Sequence, residues 1–235
     1  MTRRRWIADE VSGDRAALTG DHAAHLIRVL RARVGQEFDI ATPTALRRGR
    51  IRSIDEHRVE FELGEEFPTP AIARITLLLA IFKFDRMEWA IEKCTELGAA
   101  RIIPVVAQRT ESHLASAAIK RRERWQRLAL EAAEQSRRAA PPEISEPVKL
   151  KDAVGLTATT RIVLAESETQ ALLRDAIPSD ATDLELASGP EGGWTDSELK
   201  LFQVSGWISA SLGPTILRAE TAAIAGVAIA GSALQ

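Results

Sequence analysis

The stretch LELASGPEGGWTDSELKLFQVSGWISASLGPTILRAETA, residues 184–222, decides how the chain is read. It holds two short apolar runs, and each ends in a glycine-bearing turn: Gly189-Pro190-Glu191-Gly192-Gly193 in one case, Leu212-Gly213-Pro214 in the other. Each turn leads into a segment that predicts a helix. Glycine there permits positive φ and close approach of main chain to a ligand, and a helix N-terminus offers unpaired N–H groups. Two readings stand at this level: paired loops around one small-molecule pocket, or ordinary strand-to-helix turns.

Upstream of this stretch the same alternation recurs. RIVLAES (161–167) and RIIPVVA (101–107) read as strands, and ITLLLAIF (75–82) is a continuous apolar run of the kind buried on both faces of a sheet. Residues 85–97 predict a helix with Met87, Ala90, Ile91, Cys94 and Leu97 on one stripe, stopped by Gly98. Strand, helix, strand at this spacing is a βαβ unit, which implies a parallel sheet. Further helices are predicted over 196–204 and 217–230. Residues 120–138 predict a long helix with Trp125, Leu128, Ala132 and Gln135 on one side. Arg121, Arg122, Arg124 and Arg127 crowd its first half, where the helix dipole disfavours cations. An anionic backbone would compensate, and so would pairing to Glu123 and Glu131.

Phe67-Pro68-Thr69-Pro70 breaks helix and strand alike and divides the chain into residues 1–70 and 71–235. In the first part, residues 21–35 predict a helix with Asp21 as N-cap and Gly35 as stop. EFDIA (37–41), RRGRIRSI (47–54) and HRVEFEL (57–63) predict strands of a small sheet or barrel, because Val59, Phe61 and Leu63 alternate with charged neighbours. Arginine is dense here, at positions 3, 4, 5, 28, 31, 33, 47, 48, 50 and 52. Such a patch serves either as a phosphate-binding surface or as a solvated face paired internally to residues such as Asp21 and Glu37.

The totals exclude several classes. With 235 residues, 45% hydrophobic and 27% charged, the chain can build the core of a soluble globular protein. A net charge of −2 means that any RNA affinity must come from local patches. The single cysteine, Cys94, permits no internal disulfide and fits a reducing compartment. The N-terminus has basic residues without an apolar run behind them, so the cytoplasm is expected. The small-apolar run 222–234 is too short to span a bilayer and reads as a helix buried in the core or at a subunit interface. There is no Walker A loop, no GxGxxG after the first strand, no nucleophile elbow and no spacing of histidines and cysteine that would hold a metal.

SGPEGGWTDSE (188–198) and LGPTILRAETA (212–222), with HLIRVLR (25–31), KFDRMEWAIEKCTELG (83–98) and EAAEQSRR (131–138) in the same order, resemble the RsmE family. These are the methyltransferases that modify N3 of a uridine in 16S rRNA, within the SPOUT (α/β-knot) superfamily. The resemblance implies an α/β fold: a SPOUT methyltransferase domain over 71–235 with a parallel sheet and a C-terminal trefoil knot, preceded by a PUA-like RNA-binding β-barrel over 1–70. It implies S-adenosyl-L-methionine as cofactor, held in three loops. These map to Leu164, Ala165 and Glu166, to Gly189, Pro190, Glu191, Gly192 and Gly193, and to residues 212–221, with Leu212, Gly213, Ile216, Leu217, Arg218, Glu220 and Thr221 as the cofactor contacts. Arg218 is the first candidate for the cation that stabilises a uridine anion, followed by Arg137 and Arg109. RNA contact is expected from Arg3, Arg4, Arg5, His25, Arg28, Arg31, Arg47, Arg48 and Arg50. The implied partners are 16S rRNA of the small ribosomal subunit and a second copy of the chain, with no membrane. A knotted methyltransferase acting on ribose 2′-OH or on tRNA, and a non-catalytic ribosome-assembly factor, are the competing readings. The chain departs from the family pattern at Pro214-Thr215, where a basic residue is usual, at Ala41-Thr42-Pro43-Thr44, and at Trp6.

Overall fold

The computed structural model describes residues 5–68, 74–155 and 157–234, which fall into two compact units. One lies within Met1–Ala71 and Ala133–Ala140, the other within Ile72–Ala132 and Pro141–Gln235. Arg3, Arg4, Thr69 and Pro70 lie outside the described residues.

The first unit contains β1 (Arg5–Ile7), β2 (Glu10–Ser12), β3 (Arg15–Thr19), α1 (Gly20–Ala24), β4 (Glu37–Ala41), β5 (Leu46–Asp55) and β6 (Arg58–Phe67). Its six strands run in the order β1-β4-β5-β6-β3-β2. β1 and β4 are parallel and the remaining neighbours antiparallel. The period-2 pattern of β6 buries Val59, Phe61 and Leu63, which join Trp6, Leu18, Leu26, Phe38, Ile40 and Ile51 in one core. The helix expected over 21–35 is shorter. Thr19, not Asp21, is the N-cap, and α1 passes into a π-helical turn, His25–Val29, closed by Leu30 N–H donating to His25 O at 3.1 Å. Ala23 and Leu26 are buried while Val29 is 65% exposed, so the apolar stripe that would carry the helix on to Gly35 does not exist. Arg31, with φ of 50°, then turns the chain away.

The second unit holds β7 (Arg74–Ala80), α2 (Phe84–Glu96), β8 (Arg101–Val106), most of α3 (Ser112–Gln135), β9 (Glu143–Ile144), β10 (Val148–Lys149), α4 (Leu150–Ala153), β11 (Thr160–Leu164), α5 (Leu173–Ala176), β12 (Asp183–Ser188), α6 (Asp196–Val204), β13 (Ile208–Ala210) and α7 (Ala219–Ala233). The strands pair in parallel in the order β10-β8-β7-β12-β11-β13, with β9 beside β8. The expected α/β architecture with a parallel sheet is therefore the observed one. The continuous apolar run of β7 follows from burial on both faces. Leu77 and Leu79 meet Met87, Trp125 and Ala223 on one side; Leu78 and Ala80 meet Trp194, Phe202 and Trp207 on the other.

α3 starts at Ser112, earlier than the expected 120, which moves its arginines to mid-helix and away from the unfavourable end of the dipole. Their partners are not Glu123 and Glu131 in the main. Arg121 Nη1 and Arg124 Nε donate to Glu88 Oε1 at 3.2 and 2.8 Å, and Arg122 Nε donates to Ile144 O at 3.1 Å. In α2, Met87, Ala90, Ile91 and Cys94 are buried as expected, whereas Leu97 stays 39% exposed.

The small-residue run of α7 buries Ala219, Ala223, Gly226, Val227 and Ala230. A Cβ on Gly226 would stand 2.9 Å from Leu186 Cδ2 and 3.0 Å from Leu164 Cδ1. Small side chains thus let α7 lie directly on β11 and β12, the core role among the two readings of this run. Among the described residues no helix is long and apolar enough to cross a membrane.

Candidate active site

Leu164, Ser188 and Ala210 end three neighbouring parallel strands, β11, β12 and β13. Beyond them lie the loops 165–172, 189–195 and 211–218, at the carboxyl edge where parallel sheets gather their ligands. Backbone bonds tie the first and third loops and their flanking residues together: Ala165 N–H donates to Ala210 O of β13 at 3.0 Å, Ser211 N–H to Ala171 O at 2.8 Å, and Leu173 N–H of α5 to Ser211 O at 2.8 Å. Ser211 Oγ accepts from Gly213 N–H at 3.1 Å, bending the third loop back on itself. Gly193 and Gly213 sit at φ of 69° and 126°, which side-chain-bearing residues avoid, while Gly189 and Gly192 have ordinary φ and admit close packing of Trp194 and Arg109.

The second loop is held from below and from the side. Trp194, Phe202 and Trp207 form a ladder with ring centroids 5.0 and 5.1 Å apart, and Trp207 Nε1 donates to Val154 O at 3.1 Å. Thr195 and Glu198 form a capping box at the start of α6. Arg109 Nη1 donates to the carbonyl of Gly192 and to that of Trp194.

Between the loops lies a cavity of about 320 Å³. Leu164, Ala165, Glu166, Gly189, Pro190, Glu191, Gly192, Gly193, Leu212, Gly213, Ile216, Leu217 and Arg109 all line it. Thr215 and Ala219 of the expected 212–221 loop also line it, and residues not anticipated from sequence, among them Ser188, Trp194, Ser211 and Ala222, complete the wall. The rule that ligands gather at parallel-strand ends would have pointed to Ser188 and Ser211. Arg218, Glu220 and Thr221 are not among the lining residues. Arg218 is the exposed N-cap of α7, without a side-chain partner among the described residues, and Thr221 is exposed. Glu220 is buried, with Oε1 3.8 Å from Arg86 Nη1. Arg137 belongs to the first unit, in the turn after α3 with φ of 59°.

The wall fits an elongated, partly apolar and partly hydrogen-bonding ligand such as a nucleoside. The amides of Leu212, Thr215, Ile216 and Leu217 make no hydrogen bond among the described residues, beside the apolar side chains of the same loop. Ser188 Oγ and Trp194 Nε1 are buried without a hydrogen-bond partner among the described residues. The size is at the lower end of cavities that enclose small molecules, about 300–1,000 Å³. Cys94 takes no part: burial raises its thiol pKa far above the usual range and keeps it protonated.

In the first unit the arginines divide into two groups. Arg47 donates to Asp14 Oδ1 at 2.8 Å and to the carbonyls of Gly64 and Leu63; Arg48 lies near Glu37 and Asp39 and over the ring of Phe67; Arg50 donates to Gly35 O at 3.4 Å. Arg5 is partly buried, and desolvation lowers its pKa. Arg28, Arg31 and Arg33 are exposed, and their side chains have no partner among the described residues. His25 is exposed beside them, its ring edge-on to Trp6 at 5.6 Å.

Residues 69–231 match the family model of the RNA methyltransferase domain. A ribosomal RNA small subunit methyltransferase E from Rickettsia conorii is 31% identical over 217 residues, 90% of this chain and 87% of that protein. The chain belongs to the ribosomal RNA small subunit methyltransferase E family. A solved member of this family from Neisseria gonorrhoeae, bound to S-adenosyl methionine, is 28% identical and superposes with a TM-score of 0.85 over 97% of this chain and 96% of that one. A methyltransferase from Legionella pneumophila in complex with the cofactor SAM is 27% identical, with a TM-score of 0.86 over 99% and 98%.

Proposed function

We propose that the chain is an S-adenosylmethionine-dependent methyltransferase that modifies N3 of a uridine in 16S rRNA of the small ribosomal subunit. The observation that carries this reading is the cavity at the ends of β11, β12 and β13, walled by all three loops that the family resemblance assigns to the cofactor. When bound, S-adenosylmethionine supplies a methyl group already activated on a sulfonium. The chain's residues therefore bind, orient, exclude water and balance charge. The amides of Leu212, Thr215, Ile216 and Leu217, which have no partner among the described residues, suit the edge of an adenine, with Leu212, Ile216 and Leu217 against its faces. Glu191 offers a carboxylate to a hydroxyl or an ammonium.

Uridine N3 must lose its proton before it can act as a nucleophile, and the resulting charge spreads onto O2 and O4. Arg218, exposed at the start of α7 and with no side-chain partner among the described residues, is placed to donate to such an oxygen. Arg109 is engaged by the carbonyls of Gly192 and Trp194, which suits it to holding the loop rather than the substrate. This assignment gives Arg218 the chemical role that a basic residue at position 215 would otherwise share.

The remaining parts of the reading are a PUA-like barrel in the six-stranded first unit, a trefoil knot formed by the chain through the β11–β13 region, a homodimer and a cytoplasmic location. The insertion of β11 between β12 and β13, with Leu172 bridged to Ser211, supports the knot. The exposed Arg28, Arg31 and Arg33 beside His25, with side chains unpaired among the described residues, support RNA contact by the first unit. The test is mass spectrometry of nucleosides from small-subunit rRNA incubated with the purified chain and S-adenosylmethionine. The expected product is 3-methyluridine; a 2′-O-methylated nucleoside, or no methylation, contradicts the proposal.

A further inference from the structure

Glu220, in the first turn of α7, is 3% exposed and its Oε2 has no hydrogen-bond partner among the described residues. Its nearest cation is Arg86, whose Nη1 stands 3.8 Å from Glu220 Oε1 and 3.4 Å from Glu191 Oε1. A charge-assisted N–H···O bond closes to about 2.7–2.9 Å, so neither carboxylate holds the guanidinium to itself. Arg86 also occupies the first turn of α2, where the helix dipole disfavours a cation. Both costs have one explanation if the guanidinium must reach two elements at once. Glu191 belongs to the 189–195 loop in the cavity wall, and Glu220 is flanked on α7 by Ala219 and Ala222 of the same wall.

We propose that Arg86 is a positioning residue for the methyl donor, bridging Glu191 and Glu220 so that the second glycine loop and the first turn of α7 keep a fixed spacing across the cavity. The inference rests on the reading of that cavity as the donor site. It carries a consequence for binding. Glu191 meets Arg86 through Oε1, which leaves its second oxygen for a hydroxyl or ammonium in the cavity while the guanidinium closes on both carboxylates and gives buried Glu220 a fuller partner. Occupation of the cavity and seating of α7 then favour each other.

Arg86→Lys and Arg86→Met separate this role from general stability. Without ligand, Arg86→Met should speed amide hydrogen exchange in residues 189–193 and 219–222 by about tenfold, leaving α6 and the rest of α2 unchanged. In calorimetry with S-adenosylmethionine, Arg86→Met should weaken binding about tenfold, and Arg86→Lys should recover most of the loss. In turnover the loss should fall on KM for S-adenosylmethionine, with kcat altered by less than about twofold. Unchanged exchange in both segments, faster exchange throughout the second unit, or equal affinity in wild type and Arg86→Met would each overturn the proposal. A wild-type chain that takes up no S-adenosylmethionine contradicts the donor-site reading and the positioning role with it, while the exchange measurement still decides whether the bridge exists.

Discussion

Glu198 serves two elements with one side chain. It is 3% exposed; Oε2 accepts from Thr195 N–H at 2.8 Å, and Oε1 accepts from Gln108 N–H at 2.8 Å, in the loop after β8. Glu198→Ala leaves two amides without their acceptor and removes the capping box, so it should lower unfolding free energy by about 2 kcal/mol or more in urea titration. A loss below about 0.5 kcal/mol would mean that water replaces both bonds. His22 carries a different signal. Its Nδ1 is 2.9 Å from Asp9 Oδ1 and its Nε2 is 3.4 Å from Glu134 Oε1. The hydrogen bond to Asp9, and then the Glu134 charge, outweigh desolvation and raise the imidazole pKa. Since the folded value exceeds the unfolded one, this stabilisation is complete below about pH 6.5 and disappears as pH rises through the folded value. The stability difference between wild type and His22→Gln should therefore shrink with rising pH, and the His22 ring should titrate by NMR above about 6.5. A midpoint at or below that value contradicts the pairing.

Elements make their own predictions. α7 depends on Gly226, because the position faces Leu164 and Leu186 at less than a normal methyl distance. Alanine is the better helix former by about 1 kcal/mol, yet Gly226→Ala should destabilise the chain by about 1–3 kcal/mol through overpacking. A raised Tm for this variant would show that α7 has room to lift. In the first unit, the segment from α1 through Arg33 presents Arg28, Arg31 and Arg33, whose side chains have no partner among the described residues, whereas β5 spends Arg47 and Arg48 on carboxylates of its own unit. Replacing the first three together should lower the slope of log K for RNA against log salt by roughly two to three units. Replacing Arg47, Arg48 and Arg50 should change it by much less. Equal effects would mean that the β5 pairs open on binding. Composition alone treats all six arginines alike, since the partners that distinguish them come from other strands.

Across the whole molecule, what could be read from sequence was local. The uninterrupted run of β7, the glycine turns after β12 and β13, and the alternation of Val59, Phe61 and Leu63 each state their environment within a few residues. What could not be read depends on distant register. β11 lies between β12 and β13, and Arg86 meets Glu191 across 105 positions, so the convergence of strand ends that makes the cavity has no signature in any single segment. The premature end of the helix after α1 was likewise hidden, because Val29 and Val34 look like core residues and are exposed. The central claim is that these converging loops hold one methyl donor. A crystal structure of the chain grown with S-adenosylmethionine tests it most directly. The account predicts donor density between the 189–195 and 211–218 loops, with the amides of residues 215–217 hydrogen-bonded to the adenine edge. Density elsewhere on the chain, or a clear cavity at saturating ligand, would contradict it.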